Sequence, residues 1–321
     1  ILVPFQELIQ FIRSEVNRDL RRFPLPKSPA YLYNPIRYTF RGSGKRFRPI
    51  LVHLSGRAFH VDPDSLMKIS LATELLHNFT LVHDDIMDHD DLRHGQQAVH
   101  KKWDESTAIL TGDGLFAIAQ ILLNNLPDRA NSICCFFNEA TLEVCEGQAL
   151  DKEFENDITI SVEQYLGMIE KKTGSLLGAC AALPAILIGA EKDTIEAMDQ
   201  FGRNLGQGFQ IHDDLLEIYG NTEDMGKSLG SDISTGKQTL MVIMARENNS
   251  SEWSEILNRD GVKNRSLDAV RNYFTKSGIE KDARKMAKDY FDTARSNLEK
   301  IEKIDRSELI SFIELVEQRS T

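Results

Sequence analysis

The sequence is poor in the residues that staple or interrupt a chain. Four cysteines stand among 321 residues, Cys134, Cys135, Cys145 and Cys180, and none forms a CxxC pair. That does not suggest a disulfide framework, and the expectation is buried thiols in a reducing compartment. Proline is scarce after the early part of the chain: seven of nine lie before residue 64, leaving only Pro127 and Pro184. Long apolar runs are missing too, with no stretch of 18 or more consecutive apolar residues. No secretory signal pattern is visible, and the expectation is a cytoplasmic protein without an integral membrane segment. The chain begins at Ile1 and not Met, so a few preceding residues are expected to be missing. Positive charge is in deficit: 38 Lys and Arg stand against 49 Asp and Glu, a net of −11. This argues against a nucleic-acid partner, since phosphate backbones reward basic faces. It leaves room for an anionic small substrate held in a local basic pocket.

What is there is helical. Hydrophobic content of 41% and charged content of 27% suit a globular chain with a sizeable core. The proline-poor stretch carries few β-branched alternations and no convincing strand, hairpin or βαβ signal. PFQELIQFIRSEVNRDL is amphipathic. SLMKISLATELLHNFTLVHDDIMD opens on Ser65 as a cap candidate and runs about six turns. Further helices are predicted over roughly 105–126, 129–154, 161–190, 192–219, 237–248 and 281–318. The expected class is all-α, one domain over 1–321.

Two acidic clusters stand out. Asp84, Asp85 and Asp88 are spaced i, i+1, i+4, and Asp213, Asp214 and Glu217 repeat that spacing on another long helix. Each follows a histidine, His83 or His212, and an apolar stretch. Acids at i and i+4 share a helix face, where like charges cost a few tenths of a kcal/mol. One such cluster alone reads as a solvated helix end. The matched pair favours a carboxylate-lined platform for a hard cation such as Mg²⁺, which bridges carboxylates to phosphates. Zinc held by His83, His89, His94 and His100 is disfavoured, because no compact ligand spacing is present.

The complementary cations are Lys45, Arg46 and Arg48 in GKRFRP, then Arg93, Lys171, Lys172, Lys227 and Lys237. Arg offers a fork for phosphate oxygens and Lys a point charge. Any one of these loops, taken alone, is an ordinary solvated basic loop. No Walker A pattern and no GxGxxG after a strand occurs, so a nucleotide fold is not expected.

In order along the chain, GKRFRP, DDIMD, DLRHG, KTG, FQIHDDLLE and GKSLGSDISTGKQT resemble the trans-isoprenyl diphosphate synthases, or polyprenyl synthetases. The resemblance implies an isoprenoid synthase fold: a homodimeric bundle of about ten or more helices around a central cavity. It implies condensation of an allylic diphosphate with isopentenyl diphosphate and release of pyrophosphate. By resemblance, Asp84, Asp85 and Asp88, with Asp213, Asp214 and Glu217, bind Mg²⁺, about three ions per site. Arg93, Lys172 and Lys237 would hold the allylic diphosphate, with Lys227 beside them. Lys45, Arg48 and His77 would hold isopentenyl diphosphate. Thr173 and Gln210 match positions lining the developing cation. Two residues depart from the family pattern. His94 stands where a second arginine is usual, and Glu217 where aspartate is usual. His94 can bind isopentenyl diphosphate only as a shorter, pH-dependent cation.

In such a reaction the developing pyrophosphate charge is the costly part, and preplaced cations stabilise it. The departing pyrophosphate is the expected base. Phe79 lies five residues before Asp84, about 7.5 Å down the helix axis, where a ring can close the product pocket. By resemblance an aromatic there implies a short product, whereas the small Thr80 loosens the stop. DDIMD also lacks the insertion of bacterial farnesyl enzymes. The expected product is geranylgeranyl diphosphate (C20), with farnesyl diphosphate (C15) next. A class I terpene cyclase, a non-catalytic synthase subunit and an HD-type phosphohydrolase are the rival readings.

Overall fold

The computed structural model describes residues 4–42, 44–155, 157–220, 237–258 and 267–318. The described chain is helical apart from one two-residue strand pair. The helices are α1 (Phe5–Arg21), α2 (Ala30–Thr39), α3 (Phe47–Ala58), α4 (Pro63–Met87), α5 (Val99–Lys102), α6 (Glu105–Asn124), α7 (Ala130–Phe154) and α8 (Val162–Ile169). A π-helical turn, Glu170–Gly174, leads into α9 (Ser175–Leu187). Then come α10 (Lys192–Tyr219), α11 (Leu240–Glu247), α12 (Ser251–Asn258), α13 (Leu267–Ser277), α14 (Ile279–Glu299) and α15 (Ser307–Glu317).

The chain divides into two compact units. The first comprises Ile1–Asn138, Ala179–Glu196 and Lys303–Leu309. The second comprises Glu139–Gly178, Ala197–Glu302 and Ile310–Thr321.

In the first unit α4 is the organising helix. It starts earlier than Ser65: Asp62 is the cap, its carboxylate accepting from the Ser65 N–H at 2.9 Å, with Pro63 in the first turn. Ser65 is buried and loses the cap role to the acid before it. Leu66, Ile69, Ala72, Leu75 and Leu76 bury one face against α3 and α6. The helix ends at Met87, and His89 follows with a left-handed φ of 55°. Asp104 caps α6 through the Thr107 N–H at 2.7 Å. That helix is 20 residues long, with a mean hydropathy of 1.5 over an 18-residue window, enough by length and composition to cross a membrane. Only 39% of that window is buried, and Ile109, Leu110 and Ile121 point outward.

The DLRHG loop is a hairpin, which the sequence did not predict. β1 (Leu92–Arg93) pairs antiparallel with β2 (Gln96–Gln97), Leu92 opposite Gln97 and Arg93 opposite Gln96. His94 (φ 50°) and Gly95 (φ 74°) form the turn. Two successive positive φ values are what a type I′ turn demands, and histidine is among the residue types that tolerate them.

In the second unit α8 opens on a Ser161–Gln164 capping box. The continuous helix predicted over 281–318 is broken between α14 and α15, in the segment Lys303–Leu309 that belongs to the first unit. Lys303 takes φ 62°, and Asp305 Oδ1 accepts from the Ser307 N–H at 3.0 Å and its hydroxyl at 2.7 Å. That local bonding competes with helix continuation. The expectation of four buried thiols is also corrected: Cys134 and Cys180 are buried, whereas Cys135 and Cys145 on α7 are exposed.

Candidate active site

The first unit carries the basic loop and the first acidic cluster. Of the three cations in GKRFRP, Arg46 is spent inside the protein. Its backbone is left-handed (φ 53°), and the residue is only 5% exposed. Its guanidinium pairs with buried Glu74, donates to Asn17 Oδ1 at 2.8 Å and closes back on the Gly42 carbonyl at 2.7 Å. Burial pushes the Glu74 carboxyl up, against the pull of Arg46. Anchoring the middle residue leaves Lys45 exposed on one side and sends Arg48 inward on the other.

Arg48 Nη1 donates to His77 Nε2 at 3.1 Å. Arginine cannot accept, so Nε2 is the bare nitrogen and the neutral imidazole carries its proton on Nδ1. Burial, then Arg48, His94 and Arg93, holds His77 well below its ordinary pKa, which keeps it neutral. His77 Nδ1 and Arg48 Nε are buried and find no partner among the described residues. Two buried donors at a buried cation suit an anion. His94 is lowered too, by partial burial first and then by Arg93, Arg46 and Lys45.

Asp84 and Asp88 lie one turn apart at the end of α4, half-buried and exposed. Asp85 turns inward, 3% exposed, and accepts from Arg93 through Nε at 2.8 Å and through Nη2. Burial raises its pKa and Arg93 lowers it. Arg93 also reaches Asp90 Oδ2 at 3.4 Å. Below them, the Phe79 ring stands edge-on to His83 at 4.7 Å and tilted against Phe116 of α6 at 5.8 Å. The Thr80 hydroxyl is tied to the His77 carbonyl at 2.8 Å.

The second unit carries KTG and the second cluster. Lys172 and Thr173 sit in the π turn, a geometry frequent at functional sites because one extra residue re-aims the side chains around it. Gly147 of α7 permits it, since a Cβ there would lie 2.3 Å from the Lys172 backbone nitrogen. Lys172 Nζ pairs with buried Asp151 at 2.6 Å. The Thr173 hydroxyl donates to Gln210 Oε1 at 3.1 Å, and Gln210 Nε2 donates to Asp214 Oδ1 at 3.2 Å. The other oxygen of Asp214 accepts from the Tyr165 hydroxyl. Asp214 is thus buried and held from both sides, while Asp213 and Glu217 are half-buried one turn apart. Lys237 stands just before α11. Lys227 lies outside the described residues.

Glu74, Asp151 and Tyr165 were not singled out from sequence. Arg46 was visible as part of the basic run, but its partner lies 28 positions away and leaves no local signal.

Among the described residues no three carboxylates, imidazoles or thiols form a preformed metal cage. Asp84 with Asp88, and Asp213 with Glu217, each one turn apart, are donor pairs of the kind that suit Mg²⁺, which takes one or two carboxylates and completes its shell with water and phosphate.

The comparisons agree with this geometry. The polyprenyl synthetase family model matches residues 29–274. A geranylgeranyl pyrophosphate synthase of Geoglobus acetivorans is 36% identical over 317 residues, 98% of each chain. A short chain isoprenyl diphosphate synthase of Methanothermobacter thermautotrophicus is 36% identical over 291 residues, 89% of each chain. A crystal structure of a geranylgeranyl pyrophosphate synthase superposes with a TM-score of 0.90 at 33% identity, covering 100% of both chains. Motif order, fold and these likenesses converge, and the chain belongs to the polyprenyl synthetase family.

Proposed function

We propose that this chain, a prenyltransferase by its family, joins an allylic diphosphate to isopentenyl diphosphate, releases pyrophosphate and stops at geranylgeranyl diphosphate (C20). The observation that carries the reading is the Arg48–His77 pair, with two buried polar atoms that find no partner among the described residues. A class I cyclase uses one diphosphate and has no need of a second anion site. In this reading Lys45, Arg48, His77 and His94 hold isopentenyl diphosphate. Arg93, Lys172, Lys227 and Lys237 hold the allylic diphosphate. Thr173 and Gln210, already bonded to each other, present oxygen dipoles to the allylic cation.

Asp84, Asp85 and Asp88, and Asp213, Asp214 and Glu217, would hold Mg²⁺, about three ions per site. When bound, Mg²⁺ neutralises the charge that develops on the leaving pyrophosphate. The side chains do the rest: they hold both substrates in reacting geometry and shield the cation from water.

The outward apolar residues of α6, Ile109, Leu110 and Ile121, support a homodimer, because a second copy would cover them. The same proposal takes the chain as one synthase domain, cytoplasmic and without a nucleic-acid partner, in keeping with its net charge of −11. The C15 product is the second reading, and the Phe79–Phe116 contact favours it by adding bulk beneath the metal platform.

The test is purified protein with Mg²⁺, labelled isopentenyl diphosphate and dimethylallyl, geranyl or farnesyl diphosphate in turn. A C20 product is expected. A product ending at C15 selects the second reading. No incorporation, with a cyclised hydrocarbon formed from allylic diphosphate alone, overturns both.

A further inference from the structure

Arg203 of α10 faces three acids at once. Its Nη1 and Nη2 make a two-pronged bond to Glu143 of α7, at 2.6 and 3.1 Å. Its Nε donates to Asp199 Oδ2, one turn back, at 2.7 Å. Its Nη1 also lies 4.0 Å from Oε1 of Glu170, the first residue of the π turn that carries Lys172 and Thr173. The Arg203 side chain is 13% exposed, so solvent screens these bonds little. Burial raises the Asp199 carboxyl and Arg203 lowers it, while Glu143 and Glu170 add to the rise. Three carboxylates thus crowd one cation. The backbone closes in at the same place. A Cβ on Gly206 would lie 2.8 Å from the Gly174 Cα, and one on Gly202 would lie 2.6 Å from the Gly178 Cα. Gly174 and Gly178 therefore meet Gly206 and Gly202 in the opposite sense, and the end of the π turn lies directly against α10.

We propose that Arg203 is a positioning residue for Lys172 and Thr173, clamping the π turn between α7 and α10. This rests on the prenyl diphosphate synthase reading above, in which Lys172 holds the allylic diphosphate and Thr173 with Gln210 lines the cation. The glycines bring the turn close to α10 but carry no side chain that fixes its direction. The fork between Arg203 and Glu143 supplies that direction, because a bidentate pair sets orientation as well as distance. Without the guanidinium, Glu143, Asp199 and Glu170 repel one another, and Glu170 carries the turn away from α7. Lys172 and Thr173 are two and three residues further on and move with it. The 3.1 Å bond from Thr173 to Gln210 is then lost. Lys45, Arg48 and His77 belong to the other compact unit.

The experiment is steady-state kinetics of the full chain with Mg²⁺, each substrate varied in turn, below the melting temperature of every variant. In Arg203→Gln, KM for the allylic diphosphate should rise and kcat should fall, together about tenfold to a hundredfold in kcat/KM, the scale of a displacement of about 1 Å at a reacting site. KM for isopentenyl diphosphate should stay near the wild type. Arg203→Lys keeps the charge without the fork and should recover only part of the loss. Glu143→Gln, at a part-exposed residue, should show the same split between substrates, and it carries the test if Arg203→Gln does not fold. The double variant should lose no more than Arg203→Gln alone, since both residues act through one clamp. Equal rises in both KM values, or wild-type kinetics in the folded variants, overturn the inference and leave the synthase reading standing. Full recovery in Arg203→Lys overturns the part given to the fork. A wild-type chain that makes no prenyl diphosphate overturns that reading and the inference with it.

Discussion

The buried pair of Arg46 and Glu74 gives the sharpest test of how the basic loop is built. Both side chains are nearly sealed, at 3% and 4% exposure. Truncating Glu74 to alanine leaves the guanidinium with Asn17 and the Gly42 carbonyl but no counter-charge. Breaking a buried pair from one side costs about 3–5 kcal/mol. At about 2–4 °C per kcal/mol for chains near this size, the melting temperature should fall by roughly 6–20 °C. The double variant Arg46→Met with Glu74→Leu removes both charges and fills similar volume, which is often neutral or better for stability. It also removes the tie to Gly42 that shapes the loop between Lys45 and Arg48. The double variant should therefore melt near the wild type yet bind isopentenyl diphosphate worse, with KM raised several-fold and kcat less affected. The assay is a thermal melt alongside steady-state kinetics with isopentenyl diphosphate varied. Equal melting losses in single and double variants would refute the electrostatic account. An unchanged KM in the double variant would refute the positioning role of Arg46.

Three further predictions follow from other groups. His94 is held below its ordinary pKa by partial burial and by Arg93, Arg46 and Lys45, so it is charged only on the acid side of that value. KM for isopentenyl diphosphate should then rise as pH climbs from about 5 toward 8, and His94→Arg should flatten the rise, checked by kinetics across that range. His53 is lowered to about 4 by burial and then Arg57. Its folded pKa lies below the unfolded one, so its stabilising share is present above about 6.5 and lost as pH falls toward 4. His53→Gln should melt with a shallower acid-side fall than the wild type. Tyr165→Phe removes a donor from buried Asp214, which should cost about 1–3 kcal/mol in a melt and raise the Mg²⁺ concentration for half-maximal activity.

What the sequence disclosed was what is local. The i, i+1, i+4 acids are readable because helix geometry alone sets their relative directions, and α4 and α10 are long periodic segments. The GKRFRP run showed its charge but not its division of labour, because Arg46 is consumed by a residue 28 positions on. The α6 neighbour of Phe79 was invisible for the same reason: Phe116 and Phe79 meet only once two helices pack. His94 was noticed as an odd residue for the family, but its backbone conformation was not readable. It occupies a positive-φ turn position between two short paired strands, and two-residue strands leave no periodicity to read. The π turn is equally silent, since its cue is a glycine 25 positions before Lys172.

The two acidic clusters, met first as a spacing, share a division of roles. In each, the first and last acids lie on one helix face, Asp84 with Asp88 and Asp213 with Glu217, and none of the four is fully buried. In each, the second aspartate turns about 100° away, into the protein, as the helix repeat requires. There it meets protein donors: Arg93 on Asp85, Tyr165 and Gln210 on Asp214. A buried carboxylate with such partners ties down the helix end, which fixes the direction of the other two acids. The asparagine series at the four aspartates Asp84, Asp85, Asp213 and Asp214 should therefore split. Asp85→Asn and Asp214→Asn should lower the melting temperature without Mg²⁺ present, because each weakens a charge-assisted bond in the interior. Asp84→Asn and Asp213→Asn should leave that melt near the wild type, or raise it by relieving i, i+4 repulsion, and should lose activity that extra Mg²⁺ only partly restores. Identical melts across all four variants would show that the inward aspartates have no tethering role, and that the repeated spacing reflects metal binding alone.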